Sequence, residues 1–257
     1  MLRFVTVQKC LALCILGSLS VFPAYATVIV RQIDPVVDGW ALALDGSFSD
    51  ETGSTEKRDY NAAFNLSYKQ GRHEMRAFGG LSYGRLNGEE NTDNHMAHLR
   101  YIRDALYGPW RFEGFVQTEN DDFASLSRRN LLGGGVSRFF NKADGSQRLL
   151  AMIGVMREDE DHVSDASEDR EVTRITASLQ ARWQLPRDNR LYFITYVQPN
   201  LEHMSDDRRV TAEVSLEVPL SDRLSLTTGY NYRYNDKPFE NVPREKTKFS
   251  TGFKFSF

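Results

Sequence analysis

The residues best suited to hydrolytic chemistry lie in the stretch EHMSDD, where His203 and Ser205 are two positions apart. Residues with this spacing share one face of a β-strand, so the imidazole could act as a base on the serine hydroxyl. No residue that would orient the histidine can be named from the sequence. The pair is a candidate for lipid hydrolysis, and a loop that happens to contain histidine and serine is the favoured interpretation.

An acidic stretch, EDEDHVSDASEDRE at residues 158–171, is the candidate for binding a metal. Asp159, Asp161 and Asp165 could contribute oxygen ligands to Ca²⁺ or Mg²⁺. The stretch lacks the glycine and the spacing of an EF-hand loop, and a solvated, self-repelling loop is the favoured alternative. We therefore expect no dedicated metal site and no cofactor, with divalent cations associating at most loosely with the acidic loops.

Two other short matches predict no site. The stretch GLSYG fits a nucleophile pattern that requires a sharp turn from strand to helix, but Ser82 lies inside an alternating segment. His95 and His98 are three residues apart, so on a strand they point to opposite faces and cannot bind one metal ion together.

The element that must position these residues is a β-strand, repeated along the chain. In EVTRITASLQARWQL, Ile175, Leu179 and Trp183 share one face, while Arg174 and Arg182 share the other. About twelve such segments of about ten residues follow one another, and about 10–14 strands are possible. The pattern predicts an all-β fold, either a soluble sandwich or a closed barrel with its apolar face outward.

The connections between these segments favour the barrel. Even-numbered breaks such as KQGR and LSDR are short, whereas most odd-numbered breaks, such as GRLNGEENTD, are longer and charged. This alternation is typical of outer-membrane barrels, and aromatic residues such as Trp40, Tyr101 and Trp110 cluster at strand ends as interfacial girdles do. We predict a transmembrane, antiparallel, up-and-down β-barrel over residues 39–257.

The N-terminal sequence predicts export. A basic start and an apolar run too short to span a bilayer are followed by the small-x-small site that ends at Ala26. We expect residues 1–26 to be a cleaved signal peptide and residues 27–38 to be a lead-in to the barrel.

Cysteine content and charge exclude further classes of function. Cys10 and Cys14 lie in the predicted leader, so the mature chain would have no disulfide and no cysteine chemistry. The formal charge of −3 becomes about −5 when the leader and its two basic residues are removed. A mildly acidic chain is not a candidate for binding nucleic acid.

The final segment, KFSTGFKFSF, alternates to the last residue. Unpaired backbone groups in hydrocarbon cost several kcal/mol each, so this strand must pair with the first. Phe253, Phe255 and Phe257 also resemble the C-terminal signal that the outer-membrane assembly machinery recognises. The expected location is the outer membrane of a Gram-negative bacterium, and the expected partners are that machinery, membrane lipid and lipopolysaccharide.

The charged side chains of the predicted strands lie on the face opposite the apolar one. On the lipid face each would cost roughly 2–4 kcal/mol at mid-bilayer, so we place them in the lumen. They could form a salt-bridged plug or line a narrow channel with anion preference, and we favour an occluded or narrow lumen. The predicted lumen-lining residues are Arg76, Arg100, Arg111, Arg174, Arg182, Glu213, Glu217, Arg233, Lys248 and Lys254.

The middle of the chain resembles the salt-induced outer membrane protein family, which carries domain of unknown function 481. The shared features are an aromatic strand at 110–115, an acidic turn at 121–122, an L-x-R-R step at 126–129 and glycines at 133–135. The resemblance implies an outer-membrane barrel and a link to osmotic or envelope stress. It brings no catalytic residues.

Three classes of function follow. The first is a non-enzymatic outer-membrane barrel with an envelope-integrity, osmotic-stress or narrow-pore role. The second is a surface receptor or adhesion protein acting through the acidic loops. The third is a lipid hydrolase, because His203 and Ser205 resemble the His-x-Ser pair of outer-membrane phospholipase A and lipid A deacylases. Asp206, however, occupies the position where those families carry Asn.

Overall fold

A computed structural model describes residues 31–34, 36–51, 56–142, 145–164 and 166–257. The predicted signal peptide and residues 27–30 of the lead-in lie outside the described residues. Within the described part of the chain, no helix is long and apolar enough to cross a membrane.

Twelve antiparallel strands in the described residues form a closed barrel in which each strand pairs with its neighbours in sequence and the last pairs with the first. The predicted fold, an up-and-down barrel of about twelve strands, is confirmed. The strands are β1 (Gly39–Glu51), β2 (Lys57–Gln70), β3 (His73–Leu86), β4 (Glu89–Asp104), β5 (Trp110–Asp121), β6 (Leu126–Asn141), β7 (Gln147–His162), β8 (Arg170–Gln184), β9 (Arg190–Pro199), β10 (Arg208–Pro219), β11 (Leu224–Asn235) and β12 (Glu245–Ser256).

The period-two pattern fixes which side chains face lipid. Apolar residues such as Leu99 and Val116 are exposed on the outer surface, whereas the polar residues His98, Arg100 and Gln117, one position away, are buried in the lumen. The structure also decides the facing of β6, which is apolar at both parities. Leu131 is buried inside, and Leu132, with 63% of its surface exposed, faces outward.

The predicted alternation of loop lengths is only half right. The connections 163–169, 200–207 and 236–244 are longer than every even-numbered connection, but those after β1, β3 and β5 are not, because the strands continue beyond the predicted breaks. Between β3 and β4 only Asn87 and Gly88 form the connection, both with positive φ (52° and 85°). Asn-Gly is the preferred sequence for a two-residue hairpin turn. Half of the acidic stretch at 158–171 is likewise strand, since β7 extends to His162 and β8 begins at Arg170.

The two ends of the barrel differ in the connections they carry. We call the end with the even-numbered connections, such as 71–72 and 220–223, the turn end, and β1 starts there. The opposite end, with the odd-numbered connections, is the loop end, where 200–207 and 236–244 form longer segments. In outer-membrane barrels the turn end faces the periplasm.

The chain terminus closes the barrel. β1 pairs with β12 from Ala43 opposite Ser256 to Gly46 opposite Phe253. The Phe257 N–H donates to the Leu42 carbonyl (2.8 Å), and the Leu42 N–H donates to the Phe257 carbonyl (3.2 Å). The last residue therefore belongs to the hydrogen-bonded seam, as the need to satisfy every backbone group in lipid requires.

The aromatic side chains at the end of the chain face outward. Phe253, Phe255 and Phe257 are all exposed on the outer surface. This position is compatible with contact to lipid, and recognition of these residues by assembly machinery stays a prediction.

Glycines allow β6 and β7 to approach closely. Gly135 lies opposite Gly154 in the pairing register. A Cβ atom on Gly154 would overlap the carbonyl oxygen of Gly134, and one on Gly134 would lie 2.9 Å from the carbonyl oxygen of Glu113. The glycine run therefore lets the barrel wall bend where any larger residue would collide with backbone.

Candidate functional site

The candidate site is the lumen itself, which a piece of the chain's own lead-in enters. Residues 31–34, which we call the lumen segment, lie inside the turn-end half of the barrel. Ile33 is 0% exposed and packs in a cluster with Leu150 of β7 and Tyr192 of β9. The segment thus buries an apolar side chain against the lumen wall.

Arg31 attaches the lumen segment to β10. Its Nη2 lies 3.0 Å from Glu213 Oε1 and donates to Ser215 Oγ at 2.8 Å. Its Nη1 lies 3.6 Å from Glu217 Oε2, and its guanidinium stacks 4.0 Å above the Tyr192 ring. One arginine is therefore held by two carboxylates and an aromatic face.

Asp34 attaches the other end of the segment to different strands. Its Oδ1 accepts from Arg182 Nη1 at 3.1 Å and from the Tyr192 hydroxyl at 3.2 Å. Arg76 of β3 donates to the backbone carbonyls of Arg31 (3.2 Å) and Asp34 (3.1 Å). The segment is thus bound from opposite walls, which restrains its position across the lumen.

Gln32 joins the segment to the polar centre of the barrel. Its backbone N–H donates to Gln180 Oε1 at 2.8 Å. With its amide in the orientation that satisfies its hydrogen bonds, it donates to Glu113 Oε2 (3.1 Å) and accepts from Arg100 Nη1 (2.7 Å). Arg100 and Glu113 are also a buried ion pair.

The loop-end half of the lumen is filled by an ionic network. Glu158, with 0% exposure, accepts from Arg174 Nε and Arg209 Nη1, both at 2.9 Å. Glu160 accepts two hydrogen bonds from Arg209 at 2.7 and 2.8 Å and lies 2.9 Å from Arg170 Nε. Each buried carboxylate therefore has more than one cationic partner, which buried charge requires.

This network continues into the β9–β10 connection through Asp207. Arg174 Nη1 donates to Asp207 Oδ1 and Asn200 Nδ2 donates to Oδ2, both at 2.9 Å. Burial alone would raise the pKa of Asp207, but these hydrogen bonds and the nearby positive charge hold the pKa below its usual range. The connection is thereby attached to the barrel wall.

The structure places the predicted lumen-lining residues in several clusters. Arg76 and Arg111 share Glu74 in the turn-end half, where the Arg111 Nη2 contact is 3.3 Å. Lys254 Nζ lies 2.9 Å from Glu217 Oε2. Lys248 differs, because its side chain is exposed and its Nζ donates to Asn61 Oδ1 at 3.4 Å.

Other lumen residues were missed by the sequence interpretation. Glu158, Glu160, Arg129 and Arg209 are buried in the ionic network, although the first two were assigned to a solvated loop. The parity of the acidic stretch could have revealed them, because 158 and 160 continue the inward face of β7.

Comparison with known proteins identifies the family. The family described as "Protein of unknown function, DUF481" matches residues 45–257. The chain belongs to the DUF481 family. Its predicted resemblance to this family is confirmed. No curated protein is significantly similar to this DUF481 chain.

Solved structures similar to this DUF481 barrel come from bacterial outer membranes. The translocator domain of autotransporter NalP from Neisseria meningitidis is 12% identical, with a TM-score of 0.50, covering 88% of this chain and 91% of that one. The anion-selective porin from Comamonas acidovorans is 9% identical, with a TM-score of 0.42, covering 85% and 98%. At these identities, the NalP match shows the outer-membrane barrel fold alone.

The proposed hydrolytic pair does not lie on a strand of the DUF481 barrel. β9 ends at Pro199, and His203 and Ser205 are exposed in the 200–207 connection. The prediction that the two side chains share a strand face is therefore wrong. The backbone N–H groups of Asp206 and Asp207 instead donate to the His203 carbonyl, which closes a turn.

The carboxylates considered for a metal are not gathered together. Asp159 and Asp161 lie on the outward face of β7, where Asp161 Oδ2 accepts from Arg128 Nη2 at 2.6 Å. Asp165 lies outside the described residues. In the ranges that the structure covers, no group of three or more His, Cys, Asp or Glu residues could hold a metal ion.

In the described part of the chain, a cavity lies at each end of the filled lumen. The turn-end cavity, of about 340 Å³, lies beside Asp34, Arg76 and Arg148. The loop-end cavity, of about 100 Å³, lies beneath the 236–244 connection. The lumen segment and the ionic network lie between them.

Proposed function

We propose that this protein is a non-enzymatic outer-membrane barrel that forms a narrow passage held closed by its own lumen segment. Closure would serve envelope integrity under osmotic stress. The observation that carries the proposal is Ile33, which is 0% exposed within the barrel. A fully buried apolar side chain in the lumen excludes water from the path that ions would take.

The contacts of the lumen segment support a closure that can be released. Apart from Ile33, the segment is held by hydrogen bonds and ion pairs to β3, β4, β5, β8, β9 and β10. Such contacts are noncovalent, and charged side chains are readily solvated when water enters. Release of the segment would open the turn-end half of the lumen, and water entering there would solvate the charged side chains of the ionic network, which completes the path. The charged groups along this path include Arg76, Arg100 and Arg182, for which we predict anion preference.

Conductance of the purified chain in planar bilayers tests the proposal. We expect the wild type to be nearly silent, and both the Ile33→Asp variant and a deletion of residues 27–34 to give steady conductance. A salt gradient across the bilayer should then show a reversal potential of the sign for anion preference. The Ile33→Asp variant should conduct because an aspartate at position 33 would be desolvated between Leu150 and Tyr192, which favours release of the segment.

The matched control is Val37→Asp, because Val37 belongs to the same lead-in but is 75% exposed. This variant should remain as silent as the wild type. A wild type that conducts as strongly as the deletion variant would overturn the proposal, and so would a folded deletion variant that stays silent. Heat-modifiable mobility on gels checks that each variant is folded.

We also propose that a signal peptide directs export of the chain and is cleaved after Ala26, and that the mature chain resides in the outer membrane of a Gram-negative bacterium. Its exposed apolar outer surface supports contact with membrane lipid and lipopolysaccharide. The outward aromatic side chains at Phe253, Phe255 and Phe257 support recognition by assembly machinery. The hydrolase alternative has no comparable support, since His203 and Ser205 are exposed turn residues. The receptor alternative is weakened because half of the acidic stretch at 158–171 lies in β7 and β8.

A further inference from the structure

The loop-end cavity has an apolar roof formed by the β11–β12 connection, residues 236–244. Phe239 of this connection is buried and packs with Ala124 and Leu126, and Val242 packs against the same cluster. These side chains also line the cavity. The connection therefore folds inward over the barrel mouth, and its apolar residues face the interior space.

Arg170 of β8 holds this roof in place. Its guanidinium stacks 4.3 Å above the Phe239 ring, and its Nη1 donates to the Lys237 carbonyl at 2.8 Å. Lys237 Nζ lies 3.3 Å from Asp206 Oδ2 in the neighbouring connection. The roof is thus attached at several points, and the cavity is a defined feature of the mouth.

The lining of the same cavity, floor and roof together, carries an excess of positive charge. Its lining carboxylates in the described chain are Glu119, Asp121 and Glu160. Six cationic side chains face these three carboxylates, and they still outnumber the carboxylates by two when Glu158 beneath the floor is included. The lining cations are Arg129, Arg170, Arg209, Arg233, Arg244 and Lys246.

Two of these arginines retain donor capacity. Arg129 and Arg209 are both more than nine-tenths buried. The Nε of each makes no hydrogen bond within the described residues, and the nearest carboxylate to Arg129 Nε is Glu158, whose Oε2 lies 3.8 Å away in an ion-pair contact. A buried donor without an acceptor costs about 1–3 kcal/mol, which an anionic ligand could recover. Both the charge and these donors therefore favour an anion at the floor.

We propose that the loop-end cavity binds a small organic anion, a carboxylate with a compact apolar body. The carboxylate would meet the guanidinium groups of the floor, and the apolar body would pack against Phe239 and Val242. A volume of about 100 Å³ restricts the ligand to a small molecule. Inorganic phosphate fits less well, because one wall of the cavity is apolar. This site is separate from the lumen segment and does not depend on the closure.

Isothermal titration of the detergent-folded barrel with sodium benzoate tests this inference. We expect benzoate to bind, and neutral benzyl alcohol and inorganic phosphate each to bind at least about tenfold more weakly, which corresponds to about 1.4 kcal/mol. Arg233→Gln with Lys246→Gln should weaken benzoate binding at least about tenfold. Arg244→Gln, an exposed residue of the roof, should weaken it by a smaller factor without risk to the fold.

The matched control is Arg148→Gln, which removes one positive charge from the lining of the turn-end cavity. This variant should bind benzoate as the wild type does. The inference is wrong if benzoate does not bind, or if benzyl alcohol or phosphate binds equally well. It is also wrong if Arg148→Gln and Arg244→Gln weaken binding to the same degree. Conductance in bilayers tests closure by the lumen segment alone, so either this closure or anion binding in the loop-end cavity can be wrong without the other.

Discussion

Replacing Glu158 with alanine is expected to lower the free energy of unfolding by about 3–5 kcal/mol, the usual cost of removing one partner from a buried ion pair. Glu158 is 0% exposed and accepts from Arg174 and Arg209, both at 2.9 Å. Its loss would leave Arg174 with Asp207 and Arg209 with Glu160, but the buried network would then carry one positive charge that no carboxylate balances. Urea unfolding followed by tryptophan fluorescence measures the change.

An ion pair on the outer surface of β7 and β8 provides the control. Arg157 of β7 and Glu171 of β8 form an ion pair in which both side chains are 61% exposed. Glu171→Ala should therefore cost less than about 1 kcal/mol, because exposed pairs gain little in water. If Glu158→Ala costs no more than Glu171→Ala, the ionic network does not stabilise the barrel.

Gly154→Ala is expected to prevent the barrel from folding. A Cβ at this position would overlap the Gly134 carbonyl oxygen. Because β6 is hydrogen-bonded to β5 on one side and to β7 on the other, this oxygen cannot move aside. The cost should exceed the roughly 1–3 kcal/mol that overpacking by a methyl group usually causes. Loss of the heat-modifiable band on gels is the measurement.

Gly80→Ala is the matched control for this substitution. A Cβ on Gly80 would have its nearest neighbours at 3.8 Å, which is ordinary contact. This variant should fold with the wild-type yield. Normal folding of Gly154→Ala would show that β6 and β7 do not approach each other as closely as the structure indicates.

The barrel and its strand count could be predicted because lipid imposes a strict local rule. Most strands alternate, so Ile175 and Arg174 reveal their faces from neighbouring positions alone. The tight turn at Asn87 and Gly88 also had a local signal, but the charges around it were interpreted as a long loop. Strands that extend beyond the membrane can be as charged as loops.

The contents of the lumen could not be predicted in the same way, because they depend on distant partners. Glu158 was interpreted as part of a self-repelling loop, whereas Arg209, 51 residues away, neutralises it. The lumen segment has no periodic pattern, and Asp34 finds Arg182 148 residues along the chain. Only the closed barrel brings these residues together.

The position of Ile33 provides the most direct test of the central claim, that the lumen segment lies inside the barrel. With Cys10 and Cys14 in the predicted leader, an Ile33→Cys variant of the mature chain would carry a single thiol. We expect a bulky maleimide reagent to leave this thiol unlabelled in the folded barrel and to label it fully in urea. Tyr107→Cys, at a turn-end residue with 89% exposure, should be labelled in both states. Labelling of the folded Ile33→Cys variant as fast as Tyr107→Cys would contradict the account.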